Sequence, residues 1–212
     1  MLEPTAMISA HAIVELQDRL TRDWHTDSGP ADDGSSDAPG WMTRVARQHR
    51  ANFDLWHIED EARTPGATDS ELAGVKRRVD RTNQLRNDLA EELDRALVEW
   101  LAPQKLPDPG APLHSESPGL MIDRLSILSL KIFHTREEAE RTGAPPGHAE
   151  RNRERLAILV EQRADLAACL DTLWRETLAG IRRFKLYRQL KMYNDPSLNP
   201  AIYRTARETA GS

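Results

Sequence analysis

The stretch Met121–His134, MIDRLSILSLKIFH, decides the fold. Its apolar residues fall on every side of a helical wheel, and a helix with no solvent face belongs at the centre of a packed structure. Yet Asp123, Arg124, Lys131 and His134 sit within it. With Asp123 as the zero direction, His134 falls at about 20°, Ile127 at about 40° and Leu130 at about −20°, while Lys131 and Arg124 lie at about 80° and 100°. Asp123 and His134 therefore share a face, about three turns apart, with two bases on one flank.

Working outward, Ser117 is placed to cap this helix and Pro118 to open its first turn, so the spacing predicts a helix over 118–142 that Gly143 ends. The helix before it begins at TDSE, where Thr68 and Glu71 fit a capping box, and continues to Leu101. Its seam steps by three and four through Leu72, Val75, Val79, Thr82, Arg86, Leu89, Leu93, Ala96 and Trp100. A further helix is predicted over 41–63, with a stripe of Trp41, Val45, Gln48, Asn52, Leu55/Trp56 and Glu59, and another over 7–24. Between these two, HTDSGPADDGSSDAPG reads as a flexible polar loop. The last helix is predicted from His148 to about Arg188 along Leu156, Leu159, Arg163, Leu166, Leu170, Leu173, Thr177, Ile181 and Phe184, with a bend at Gly180. No strand alternation appears. The expectation is an all-α fold, a single-domain bundle of about five main helices with a polar interior site. Residues 1–40 supply the first helix and the polar loop of that domain, and 41–207 the bundle.

Composition narrows the function classes. Charged residues make up 30% and aromatics 5% of the 212 residues, and the net charge of −5 argues against a nucleic-acid polymer as partner. The charge is uneven: residues 181–212 hold seven bases against two acids, so that end is +5 and the rest −10. No run of 18 apolar residues suggests a membrane span, and the N-terminus lacks the basic start and apolar core of a secretory signal. Cys169 is the single cysteine, which excludes an intrachain disulfide and fits a cytoplasmic location. Of 29 bases only five are lysines. Arginine binds carboxylate and phosphate through a planar fork, although a GC-rich genome enriches it for no chemical reason.

Each long helix repeats the anomaly of the opening stretch. Asn52 and Glu59 lie on the seam of the second helix, with His49 and Asp60 on its flank. Arg86 lies on the seam of the third, near Asn83 and Asn87, and Arg163 on that of the fifth. Buried polar groups cost a few kcal/mol each unless they are partnered. They must meet each other or a ligand. One solution is a structural network pairing Arg86 with Glu59 and Arg163 with Asp123. The other is a ligand pocket, because the set holds more Asn, His and cations than simple pairing uses. His57 points about 140° away from Asn52 and reads as a packing histidine.

The strings NFDLWHIEDEAR, DRTNQLRNDLAEELD, SESPGLMIDRLSILSLKIFH, EQRADL and YRQLKMYNDPSLNP together resemble the bacterial domain-of-unknown-function family numbered 4254, over about residues 41–203. The resemblance implies company with glycan-building enzymes, including heptosyltransferases of lipopolysaccharide clusters, and through them sugar-nucleotide chemistry. The arginine-, alanine- and aspartate-rich style points alternatively to a specialised-metabolite cluster.

The expectation is a cytoplasmic sugar-nucleotide-dependent transferase, with a nucleotide sugar such as an ADP-activated heptose as small-molecule partner and homo-oligomerisation left open. Asp123, His134 and Glu59 are the candidate catalytic groups. His57, Asp60, Asn83, Arg86, Asn87, Arg124, Lys131, Arg163, Lys185, Lys191 and Asn194 are the candidate substrate-binding groups. The alternatives are a non-catalytic scaffold for glycan enzymes, a helical lyase or mutase, and a metal-dependent oxygenase. Against the last, no Glu is followed three residues later by His, and Asp54-x-x-His57 is the nearest match to a bundle di-iron motif. No metal and no cofactor are therefore expected. A mononuclear site would have to draw on His57, Glu59, Asp60 and His134.

Overall fold

The computed structural model describes residues 8–26, 40–188, 190 and 197–200. Five α-helices follow in order: α1 Ala10–Thr26, α2 Trp41–Glu61, α3 Asp69–Leu101, α4 Pro118–Glu140 and α5 His148–Leu178, with one 3-10 turn at Ala102–Gln104. They form a single all-α bundle. Among the described residues there is no strand, and no helix is long and apolar enough to cross a membrane. The polar loop expected before α2 lies, except for its ends, outside the described residues, as do Lys191 and Asn194.

Helix α4 is the axis, in contact with each of the other four helices. Met121, Ile122, Leu125, Leu130 and Ile132 are fully buried, as its apolar circumference demands. Met121, Ile122 and Leu125 pack with Ile13, Val45, Leu93, Leu97, Leu101, Leu170, Leu173 and Trp174. Each such side chain contributes about 1.5–3 kcal/mol of transfer free energy. The circumference is not entirely enclosed: Arg124 and Lys131, one face seven residues apart, reach solvent.

Two helix starts are capped from elsewhere in the chain. Ser117 precedes α4 but makes no side-chain cap to it. Its hydroxyl donates to Asp94 Oδ2, and Asp94 Oδ1 accepts the Gly119 amide at 2.7 Å. At α1 the Ala10 amide donates to Asp171 Oδ1 of α5 at 2.9 Å. The α4 start also presses on α3. A Cβ built on Gly119 would lie 2.4 Å from the Ala90 carbonyl oxygen and 2.9 Å from Asp94 Cγ, so only glycine fits this crossing.

Helix α3 starts as expected. Thr68 Oγ1 accepts the Glu71 amide at 3.3 Å and Glu71 Oε2 accepts the Thr68 amide at 2.7 Å, a reciprocal capping box. Burial on α3 is confined to its second half, from Asn87 onward, where Leu89 and Leu93 of the expected seam are buried. Leu72 and Leu85 are exposed, because the first half of α3 leaves the bundle alongside the end of α2, tied to it by Arg78–Glu61.

Helix α5 does not run to Arg188. It stops at Leu178, where Gly180 takes φ +70°. The Ile181 amide donates to Glu176 O and the Gly180 amide to Thr177 O, a Schellman stop that uses glycine's access to positive φ. The chain then runs extended as a strap. Arg183 bridges Leu113 in a single parallel β-bridge, and Phe184 enters the core.

Candidate functional site

A buried polar layer crosses the bundle between α1, α2 and α4. Asp123 Oδ1 accepts from Gln48 Nε2 at 2.5 Å and from Asn52 Nδ2 at 2.9 Å, and lies 3.2 Å from Arg86 Nε. Asn52 Nδ2 gives its second hydrogen to Ser126 Oγ at 2.9 Å. His49 Nδ1 is 2.7 Å from Ser126 Oγ, and His49 Nε2 is 2.9 Å from Thr21 Oγ1. The directions follow from the ends inward. Thr21 donates to Gln17 O, so its oxygen accepts from His49 Nε2–H; His49 Nδ1 must then accept from Ser126, whose oxygen is already taken up by Asn52. The imidazole is thereby fixed as one neutral tautomer. Burial lowers its pKa from 6.5 to about 3, opposed by the backbone hydrogen bond with Gln17. Burial raises Asp123, while Arg86, Asn52 and Gln48 pull it back.

In front of this layer a cavity of about 390 Å³ opens between α2, α3 and α4. Its inner wall is Asn52 and Arg86, its apolar sides are Leu55, Trp56, Ile127 and Leu130, and its rim is Glu59, Asp60 and Arg63. Arg86 enters half-buried, with Asp123 behind it. That combination of apolar walls and a few convergent polar groups suits a small ligand. A larger groove of about 680 Å³ beside the α2–α3 connection is lined by Arg77, Arg78 and Arg81, but these are exposed and Arg78 is engaged by Glu61.

The family model for proteins of unknown function DUF4254 matches residues 42–186. The chain is a DUF4254 protein. No curated protein and no solved structure was found to match it. The DUF4254 match spans α2 to the strap and so contains the whole cavity. Helix α1, which supplies Thr21 and Gln17 to the polar layer, lies before the matched span.

The DUF4254 bundle brings together some of the residues singled out in the sequence and disperses others. Glu59, Asp60 and Arg86 meet at the cavity. Asp123 stands behind its wall, where it holds Arg86 and Asn52. The pairing differs from the network drawn from the sequence: Arg86 takes Asp123 and not Glu59, and Arg163 takes Asp18 at 2.6 Å and not Asp123. Asn83 and Asn87 flank Arg86 on α3, half-buried and buried, outside the cavity wall. Arg124 and Lys131 line a separate groove of about 740 Å³ with His114, Glu116 and Asp165, where Arg124 pairs with Glu116 at 2.7 Å. Lys185 is exposed on the strap. His134 is eleven residues from Asp123, about 16 Å of helical rise, so the two cannot serve one reacting atom.

His134 instead joins His25 of α1 and His57 of α2. One ring nitrogen from each of the three lies within 4.8 Å of the others. His25 stacks on Phe133 with centroids 4.3 Å apart, and His134 stacks on Trp56 at 4.8 Å. The sequence groups His57 and His134, with Glu59 and Asp60, in the mononuclear alternative; His25 has no signal there, because the three members lie on three helices with no local spacing to reveal them.

Two groups with opposite pH behaviour sit in the core. His49 is neutral when folded, so as pH falls from 6.5 toward 3 the unfolded chain takes up a proton that the folded one refuses, and stability drops. Asp94 is raised from 3.8 to about 6, chiefly by burial and against its bonds from Ser117 and Gly119. Between those values the folded state holds the extra proton, and stability rises as pH falls. The two slopes, about 1.4 kcal/mol per pH unit each, oppose one another from about pH 6 to 4. Asp123, raised, acts in the sense of Asp94, and His134, lowered by burial, in the sense of His49. Asp94→Asn keeps the shape and removes one slope. Urea titrations should show the variant losing about 3 kcal/mol more than the parent between pH 6 and 4. Parallel curves would show that Asp94 does not titrate in that window.

Proposed function

We propose that the cavity between α2, α3 and α4 binds the sugar and phosphate end of a nucleotide-activated sugar, and that this DUF4254 protein is a transferase. The observation that carries this reading is Arg86, braced from behind by Asp123 and facing a cavity that also holds Glu59, Asp60, Asn52 and the Trp56 indole. Arg86 offers a forked donor to phosphate, and the exposed Arg63, which pairs with Glu59 at 3.6 Å, can turn to join it. The carboxylates and the Asn52 carbonyl oxygen accept from sugar hydroxyls, and the indole covers an apolar sugar face. In the proposed reaction the acceptor hydroxyl gives its proton to Glu59 as its oxygen attacks the anomeric carbon. The departing diphosphate is held by the two arginines, whose charge is worth most where charge develops. Asp123 is a positioning residue for Arg86. The glycan setting implied by the family resemblance makes an ADP-activated heptose the first donor to try.

Thermal-shift titration across nucleotide sugars tests the binding. A ligand at 100 times its Kd stabilises the fold by about 2.7 kcal/mol. Arg86→Met is expected to weaken donor binding at least about tenfold, in line with a charge-assisted bond of about 1.5–3 kcal/mol. Glu59→Gln should leave binding intact and lower turnover about 100-fold. Should no nucleotide sugar stabilise the protein, or should Arg86→Met bind as the parent does, the transferase reading fails and a scaffold role takes its place.

A further inference from the structure

The geometry points to a divalent transition-metal site formed by His25, His57 and His134, with at least one coordination position left open. The inference is independent of the transferase reading, since none of the three histidines lines the α2–α3–α4 cavity.

His25 Nδ1 lies 2.6 Å from Thr21 O, His57 Nδ1 2.8 Å from Phe53 O, and His134 Nδ1 2.9 Å from Glu137 Oε2. All three acceptors are oxygens without a hydrogen to give, so each Nδ1 carries the proton and each Nε2 keeps its lone pair. This is the outer-shell arrangement of metal-ligating histidines, whose second nitrogen donates to a carbonyl or carboxylate and so fixes the ring.

His25 Nε2 and His134 Nε2 are buried with no hydrogen-bond partner among the described residues. A buried acceptor without a donor is costly, and two beside each other need a common explanation. A cation that takes both lone pairs provides one.

Phe53, Phe133, Trp24 and Trp56 pack around the imidazoles or each other and give the half-buried cluster an aromatic surround. Arg50 lies over the Trp24 and Phe53 rings, but its charge is engaged by Asp54 at 2.8 Å. Access is provided by a groove of about 450 Å³ between α4 and α5, in whose wall His134 stands beside Trp56 and Lys131. Three neutral imidazoles suit zinc and its neighbours in the first row, and three protein ligands leave the fourth position for water or substrate. Metal–nitrogen bonds of about 2.0–2.1 Å put tetrahedral ligand atoms about 3.4 Å apart. Loading should therefore draw the rings inward by about 1 Å from their present spacing of up to 4.8 Å.

The test uses the full chain, stripped with chelator and titrated with Co²⁺ and then Zn²⁺. The expected result is one ion per chain, visible Co²⁺ ligand-field absorption that Zn²⁺ displaces, and a raised Tm. His57→Gln and His25→Gln should each weaken Co²⁺ binding at least about 100-fold, and Glu137→Gln, which touches only His134, by about tenfold. His11→Gln, on an exposed histidine elsewhere on α1, should change nothing. Circular dichroism identifies any variant that has not folded. In that event the decision rests on the parent's own Co²⁺ spectrum and on Glu137→Gln. Failure of the parent to bind Co²⁺ or Zn²⁺ at unit stoichiometry, or binding that survives in folded His57→Gln, overturns the site and leaves the cluster as aromatic packing. Nucleotide-sugar binding measured on the same samples separates this outcome from failure of the transferase reading.

Discussion

Asp123→Ala is expected to cost about 3–5 kcal/mol, among the largest effects of any single substitution in the protein. The truncation leaves the buried Gln48 and Asn52 amides without the oxygen they share, at about 1–3 kcal/mol for each stranded group, and takes from Arg86 the carboxylate that holds it. Asp123→Asn should cost much less, because an amide oxygen can still accept from Gln48 and Asn52, while the half-exposed Arg86 can turn toward solvent. Chemical denaturation of both variants checks the order. Equal losses for Ala and Asn would mean that charge, and not hydrogen bonding, governs the layer. The Asn variant has a second use. If Asp123 positions Arg86, donor binding should weaken while the fold persists.

Gly119→Ala is the second large effect. The added methyl would meet the Ala90 carbonyl oxygen at 2.4 Å, a backbone atom that cannot rotate away. Relief requires α3 and α4 to part at the point where Asp94 caps α4, so the cost combines overpacking with a strained cap. Together these amount to about 2–4 kcal/mol. For a chain of this length that is a Tm loss of about 5–15 °C. An unchanged Tm would show that the crossing is looser than the structure has it. Nothing in the sequence marks this glycine, since it sits at an ordinary position in the first turn of α4. Only the neighbouring helix makes it indispensable.

That contrast runs through the whole comparison of sequence and structure. What depends on neighbours along one helix was readable: the five apolar stripes, the Thr68–Glu71 capping box, and the buried character of MIDRLSILSLKIFH. The end of α5 was not, because Ile181 and Phe184 continue the helical spacing even though the chain has left the helix at Gly180. Phe184 is buried by the strap, at a phase a helix would also have given it. Partner choice was not readable either. Periodicity tells which residues face inward but not which helix they meet, so Arg163 was matched with Asp123 when Asp18 of α1 lies opposite. The histidine cluster failed for the same reason in a stronger form. On α2 alone His57 reads as a packing residue, and His25 falls just past the end of the helix predicted over 7–24. Their meeting with His134 is a property of three helices together.

The two borrowed caps have a consequence for how this molecule opens. An α-helix formed in isolation leaves its first amide groups to water. Here Ala10 and Gly119 donate instead to aspartates 161 and 25 residues away. Neither amide can be shielded until α1 has docked on α5 and α4 on α3. Their hydrogen exchange should therefore report on separation of whole helices, with protection near that of the global unfolding reaction, although both lie where a helix ordinarily frays. The Glu71 amide, satisfied within its own turn by Thr68 on a part of α3 that leaves the bundle, should exchange far sooner. Measured side by side, the three amides distinguish a bundle that opens as one cooperative unit from one that sheds its helices singly.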